Sequence, residues 1–303
     1  MIFVINIFLV CLNTAVSSLL ICVLALIKAA LPVPRLRKQI TRACHQIMWA
    51  WSTLNHRLIN ATSRDLEWDV QGGEGLSKDG WYLLIANHLS WADIVVIYCT
   101  FRNRIPMAKF FMKQELIYIP FLGLACWAVD MPFMKRYSRS YLHKHPEKRG
   151  EDMSTTRRAC AKFKDTPTTV VNFVEGTRFT TEKQQAAKSP YSHLLPAKTG
   201  GISYTLGAMG DQFSNIVNVT IAYPDNQAFP FRDLIAGRMK RIVVRIETLP
   251  VNEAMVGDHL NEKGAKREFR QWLDAIWLRK DQELDVVYGE AEKLPKGETV
   301  VQH

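Results

Sequence analysis

The stretch Trp81-Tyr82-Leu83-Leu84-Ile85-Ala86-Asn87-His88-Leu89-Ser90-Trp91-Ala92-Asp93 sets the reading of the whole chain. Its first half is a short apolar run that predicts a strand near 81–86, and an apolar helical pattern follows over 90–101. Between the two lies a polar exit that places His88 at the edge of a sheet. Ser90-x-x-Asp93 satisfies the pattern of a helix capping box, which accounts for Asp93 as a structural residue. The same spacing has a second use. His88 precedes Asp93 by five residues, so a tight turn brings the carboxylate to one imidazole nitrogen and leaves the other as a general base. The two roles are compatible.

A second apolar run ends the same way, in Val171-Asn172-Phe173-Val174-Glu175-Gly176-Thr177-Arg178-Phe179. Gly176 allows close backbone approach to a ligand, Thr177 offers a hydroxyl, and Arg178 can grip a phosphate or carboxylate with two parallel bonds. Further strands are expected near 65–70, 105–110, 127–133, 168–174, 215–223 and 241–248, and helices near 151–164, 201–209 and 261–280. Strands alternating with helices predict an α/β fold, with a mixed, partly parallel sheet flanked by helices. Ligands of such sheets sit at the carboxyl ends of strands, where both polar exits fall.

The 303 residues are 48% hydrophobic and 22% charged, with 16 Gly and 13 Pro, which excludes collagen-like and wholly disordered chains. Six cysteines without C-x-x-C pairing read as reduced thiols. Lys and Arg outnumber Asp and Glu by 39 to 29, a net charge of +10, so an anionic partner is expected: nucleic acid, anionic lipid or a phosphorylated substrate. Between 135 and 164 ten basic residues face three acidic ones. A solvated face explains most of them, and some can hold an anionic membrane surface. No nucleic-acid motif accompanies them, so no nucleic-acid partner is expected. His143 and His145 lack further ligands at metal-site spacing, and no metal is expected.

Met1 to Ile27 contains no charged residue. As a helix it reaches roughly 40 Å, enough to span a bilayer. No basic region precedes it and no cleavage pattern follows it, so it reads as a retained membrane helix. Lys28, Arg35, Arg37, Lys38 and Arg42 follow, and the positive-inside rule then places the remainder in the cytoplasm. Pro32 and Pro34 break the helix. Ile40, Cys44, Ile47, Met48, Trp51, Leu54 and Leu58 then recur at helical spacing, which fits either an interfacial amphipathic helix or a helix facing the core. A re-entrant hairpin of both segments stays open. The organisation expected is a membrane-anchoring unit over 1–60 and a catalytic domain over 61–303.

N-H-x-x-x-x-D followed by F-V-E-G-T-R resembles the glycerolipid acyltransferase family, whose bacterial type member acylates 1-acylglycerol 3-phosphate. Pro132-Phe133-Met134-Lys135-Arg136 and Leu195-Pro196-Ala197-Lys198-Thr199 extend the resemblance over roughly residues 28–280. It implies His88 as general base and Asp93 as its orienting partner. It implies Glu175, Gly176, Thr177 and Arg178 as an acceptor-binding turn, with Lys198 beside it. Arg136 matches the basic residue of the family's intermediate block. The common form carries an isoleucine-phenylalanine run before that arginine, whereas F-M-K-R is similar to a branch that includes enzymes acting on other lysophospholipids.

The resemblance implies transfer of a fatty acyl group from acyl-CoA or acyl carrier protein to the free hydroxyl of a lysophospholipid acceptor, with no bound cofactor. The donor is a co-substrate, the substrate supplies the nucleophile, and backbone N–H groups are expected to stabilise the oxyanion. Two other classes compete. A catalytically silent lipid-binding or scaffold protein would not need His88, Asp93 and Arg178 together, and a serine hydrolase would need a G-x-S-x-G elbow that the chain lacks.

Overall fold

The computed structural model describes residues 2–119, 122–134, 145, 154, 160–163, 166–252 and 263–293. Arg136, most of the basic stretch and most of the helix expected over 151–164 lie outside these residues.

At the centre is a six-stranded sheet of β1 (Glu67–Gly72), β2 (Tyr82–Ala86), β3 (Ala108–Phe110), β6 (Thr169–Phe173), β7 (Asn215–Ala222) and β8 (Arg241–Pro250), in the order β1-β8-β7-β2-β6-β3. Only the β7–β8 pair is antiparallel, so the sheet is mixed and largely parallel, as expected. Every residue of β2 is buried, which is what a continuous apolar run between two covered faces predicts. Leu83 and Ile85 enter a core with Ile202, Leu206 and Trp277, while Tyr82, Leu84 and Ala86 enter another with Val96, Ile97 and Val219. That division is the two-residue period of a strand.

Helices cover both faces: α3 (Ala92–Thr100), α6 (Thr199–Met209), the short α7 (Pro230–Ile235) and α8 (Lys263–Lys293), which runs thirteen residues beyond its expected end. Parallel pairing sets the register of the site. Ala86 pairs with Phe173 on one side and Val219 on the other, so β2 and β6 end at one level while β7 runs on to Ala222. Two residues beyond their ends, β2 and β6 deliver His88 and Glu175 side by side.

The strand expected over 127–133 is a correction. Leu122–Ala128 forms helix α4, and only Phe133–Met134 is extended, as β5 paired with β4 (Met112–Lys113) in a separate two-stranded sheet. Leu124, Trp127 and Ala128 recur at helical spacing and pack with Ile21, Ala25 and Cys44, so a neighbouring helix decides a run too short to declare its period.

That neighbour belongs to a hairpin of α1 (Ile2–Ala30) and α2 (Pro34–Thr62), broken at the prolines. Asn6 donates to Thr62 Oγ1 at 2.9 Å, and Asn13 donates to Asn55 Oδ1 at 2.9 Å, so the helices run antiparallel. Both ends of α1 also grip the sheet domain. Asn6 Nδ2 donates to Ile235 O at 2.8 Å, and the buried Lys28 donates to Ala128 O at 3.0 Å and pairs with Asp130 at 3.1 Å. The opposite face of α1 is open and apolar, with Phe8 63% and Leu26 61% exposed. In α2, Trp49 and Trp51 pack edge-on against Tyr98 of α3, the core-facing member of the two alternatives, while Leu36 and Leu54 remain exposed.

Candidate active site

His88 leaves β2 at a point fixed from four directions. Asn87, fully buried, donates to Ile221 O and accepts from Ile221 N, both at 2.9 Å, so its amide continues the β2–β7 ladder by one residue. The His88 N–H donates to Glu175 Oε1 at 3.0 Å, and its carbonyl accepts from Phe179 N at 2.7 Å. The imidazole stacks on Phe173, with ring centroids 4.0 Å apart and planes inclined by 13°.

Asp93 is fully buried, and its Oδ2 lies 2.7 Å from His88 Nδ1. The same oxygen accepts the N–H groups of Leu89 at 2.7 Å and Ser90 at 2.9 Å. Ser90 Oγ in turn accepts from Ala92 N at 3.3 Å. The turn-stabilising and imidazole-orienting roles of Asp93 therefore coincide in one carboxylate. His88 Nε2 has no hydrogen-bond partner among the described residues, and the His88 side chain is 15% exposed. This leaves a ring nitrogen to take a proton, with the other nitrogen's tautomer fixed by the carboxylate.

The turn after β6 divides into two parts. Glu175 faces inward, fully buried, with Oε1 on His88 N and Oε2 on Leu195 N at 3.1 Å. Burial pushes its carboxyl up to about 8, against the opposing pull of those N–H bonds and of the Lys280 ammonium. Its contacts are with the scaffold that holds His88, not with the cavity. Gly176 has φ +69°, and an added Cβ would meet Lys198 Cδ and Nζ at 3.3 Å, so both conformation and space favour glycine. Thr177 Oγ1 accepts from Lys183 Nζ at 2.9 Å, and the same ammonium donates to Arg178 O at 2.8 Å. The Arg178 guanidinium lies 5.0 Å from the ring centroid of Trp91, which is itself 56% exposed.

A cavity of about 680 Å³ opens beside these groups, lined by Leu89, Arg178, Phe179, Lys183, His193, Tyr223 and Tyr288 among others. Its polar lining is rich in cationic and hydroxyl groups, which suits an anionic, oxygen-rich headgroup. The structure thus brings His88, Asp93, Glu175, Gly176, Thr177, Arg178 and Lys198 together at one end of the sheet. Among the described residues no cluster of three or more His, Cys, Asp or Glu could hold a metal ion. Sequence reasoning missed Tyr223, whose hydroxyl donates to Asp93 Oδ1 at 2.8 Å, and Lys183. The signal for Tyr223 was available: Ala222-Tyr223-Pro224-Asp225 is the polar exit of a third strand at the same end of the sheet.

A partly open imidazole held by a buried carboxylate, next to a basic turn on a mostly parallel sheet, is an arrangement able to take a proton from a bound hydroxyl. The acyltransferase family matches residues 67–223, just over half of the chain, and the chain belongs to that family. It is 26% identical over 186 residues to 1-acyl-sn-glycerol-3-phosphate acyltransferase 3 of Arabidopsis thaliana, covering 57% of this chain and 44% of that one. It is 23% identical over 199 residues to the human 1-acyl-sn-glycerol-3-phosphate acyltransferase gamma, covering 62% and 47%. The chain spans less than half the length of these relatives. The fold is similar to the crystal structure of the 1-acyl-sn-glycerophosphate acyltransferase PlsC of Thermotoga maritima, with a TM-score of 0.51 and 16% identity over 98% of this chain and 99% of that one.

Proposed function

We propose that the protein transfers a fatty acyl group from acyl-CoA or acyl carrier protein to the free glycerol hydroxyl of a lysophospholipid, with 1-acyl-sn-glycerol 3-phosphate as the first acceptor to test. The 2.7 Å contact of His88 with a buried carboxylate carries this reading. Neutral His88 takes the hydroxyl proton as the oxygen attacks the thioester carbonyl, and the C–O bond forms. The tetrahedral intermediate then expels the thiolate, which takes the proton back from His88, so no acyl-enzyme is needed. Arg178 and Lys198 supply positive charge for the acceptor's phosphate. Glu175 serves the reaction by holding the His88 backbone. Arg136 is retained as a further acceptor contact on the strength of its motif. The relatives, 1-acyl-sn-glycerol-3-phosphate acyltransferases by name, support the acceptor class, and the motif blocks also resemble the bacterial inner-membrane acyltransferase YihG.

The test is the full chain in nanodiscs, offered a panel of lysophospholipids with acyl-CoA and acyl carrier protein donors. Diacyl product from wild type and none from His88→Ala is the expected result. Absence of transfer with every pair would favour the silent lipid-binding alternative.

Membrane attachment is part of the same proposal. α1 is long and apolar enough to cross a bilayer, but its ties to the sheet domain at Asn6 and Lys28 favour a helix lying in the cytoplasmic leaflet with its open apolar face down. A protease site fused before Met1 should then be protected from outside intact cells and cut once the cytoplasmic side is opened. Cleavage from outside would restore the spanning reading.

A further inference from the structure

Two oxygens of one buried carboxylate are treated very differently. Asp93 Oδ2 accepts from the His88 ring and from two backbone N–H groups. Oδ1 has a single side-chain donor, the Tyr223 hydroxyl at 2.8 Å. Asp93 and Tyr223 are both fully buried, so no solvent molecule replaces that donor. We propose that Tyr223 is a positioning residue for the base: its hydroxyl fixes Asp93 and sets how much of the carboxylate's charge is offered to His88.

This inference rests on the general-base role of His88 proposed above. A donor on Oδ1 draws charge from the carboxylate and so tempers its hold on the imidazolium that forms as the substrate hydroxyl loses its proton. Tyr223 is well placed to do so at every working pH. Burial, and next the Asp93 charge, push its phenol well above the usual tyrosine range, so it stays a donor. Its own place is set by β7, which it leaves directly after Ala222, and beside it Tyr288 of α8 lines the same cavity. Other titratable groups facing this centre are Glu175 from the β6 exit and Tyr288 from α8, with Lys280 of α8 acting on Glu175.

Tyr223→Phe keeps the ring and removes the donor. The expected result is a kcat lower by about 10-fold. The acceptor KM stays within about 2-fold, because the hydroxyl acts on the base and not on bound acceptor. The acidic limb of kcat/KM moves up by several tenths of a pH unit, on the order of what losing one hydrogen bond to a charged group allows. Replacing Tyr223 with 3-fluorotyrosine, a stronger donor that preserves the fold, should move the limb the other way. A substrate-free measurement runs beside these: the low-field proton resonance of His88 Nδ1–H, assigned by its loss in His88→Ala, should move downfield in Tyr223→Phe. If the limb and the resonance both stay in place, Tyr223 is only a packing residue. A wild type that turns over no substrate pair overturns the acyl-transfer reading instead, and the resonance alone then decides the part played by Tyr223.

Discussion

The exits of β2 and β6 are neighbours on parallel strands, yet they are built in opposite ways. After β2, the polar groups other than His88 Nε2 are engaged: Asn87 is clamped to β7, the His88 backbone to Glu175 and Phe179, and Asp93 to four donors. After β6, once Glu175 has turned inward, Gly176 and Arg178 are exposed and Arg178 touches only the face of an exposed tryptophan through its guanidinium. Under the proposed reaction the contrast fits two tasks. A proton transfer tolerates little error in distance, so its groups are locked. A phosphate is held by charge and forked hydrogen bonds that can follow a mobile headgroup, so its groups can remain soft.

The largest expected effect breaks the locked side. His88→Ala should cost about 10²-fold to 10⁴-fold in kcat while leaving the thermal transition near that of wild type, because the removed ring is a partly open side chain stacked on Phe173. Near-normal turnover in a folded variant would erase the distinction between the exits. On the soft side, Arg178→Ala should raise the acceptor KM by about 10-fold to 100-fold and leave the donor KM little changed, with Arg178→Lys recovering part of the loss. Measuring both Michaelis constants checks this, and a defect confined to the donor would reassign Arg178 to the carrier's phosphates.

The smallest effect sharpens the comparison at Glu175, the residue that belongs to one exit by sequence and to the other by contact. Its folded value near 8 lies above the unfolded carboxylate value, so the native state holds the extra proton between the two. Its contribution to stability is therefore full below about pH 4.5 and is lost as the pH rises towards 8. Thermal melts across that window should show a Tm declining with pH, and Glu175→Gln should flatten the slope. An unchanged slope in the variant would assign the pH dependence to other groups.

How much of this was legible follows from how local each signal is. The His88–Asp93 pair is written in five consecutive steps and could be read directly, as could the glycine of the second exit. The β-α alternation and the mixed sheet were likewise carried by runs long enough to show their period. Glu175 was legible as a motif letter but not as a buried acceptor, because its partners His88 and Leu195 come from other segments. Tyr223 depends on the register of a third strand, which no single run of sequence displays. The α4 segment failed for a related reason: seven residues fit either period until α1 packs on them. In α1 itself, Asn6 and Lys28 look like minor interruptions of an apolar stretch, and only their partners reveal them as the two ends of a tether.

One consequence concerns motion. Segment 87–91 has neither strand nor helix pairing, the kind of chain that ordinarily opens at low free energy. Here its bonds lead to β7, to the β6 exit and to Asp93 of α3, so opening it breaks contacts with three other elements. Its opening free energy should therefore exceed that of an ordinary loop of this length. Under the proposed function, lipid would pass the other flank of the cavity, where α5 (Thr181–Ala186) is a six-residue exposed turn of helix holding Lys183 against Thr177. An exposed doorway is thereby separated from an imidazole tied into the sheet.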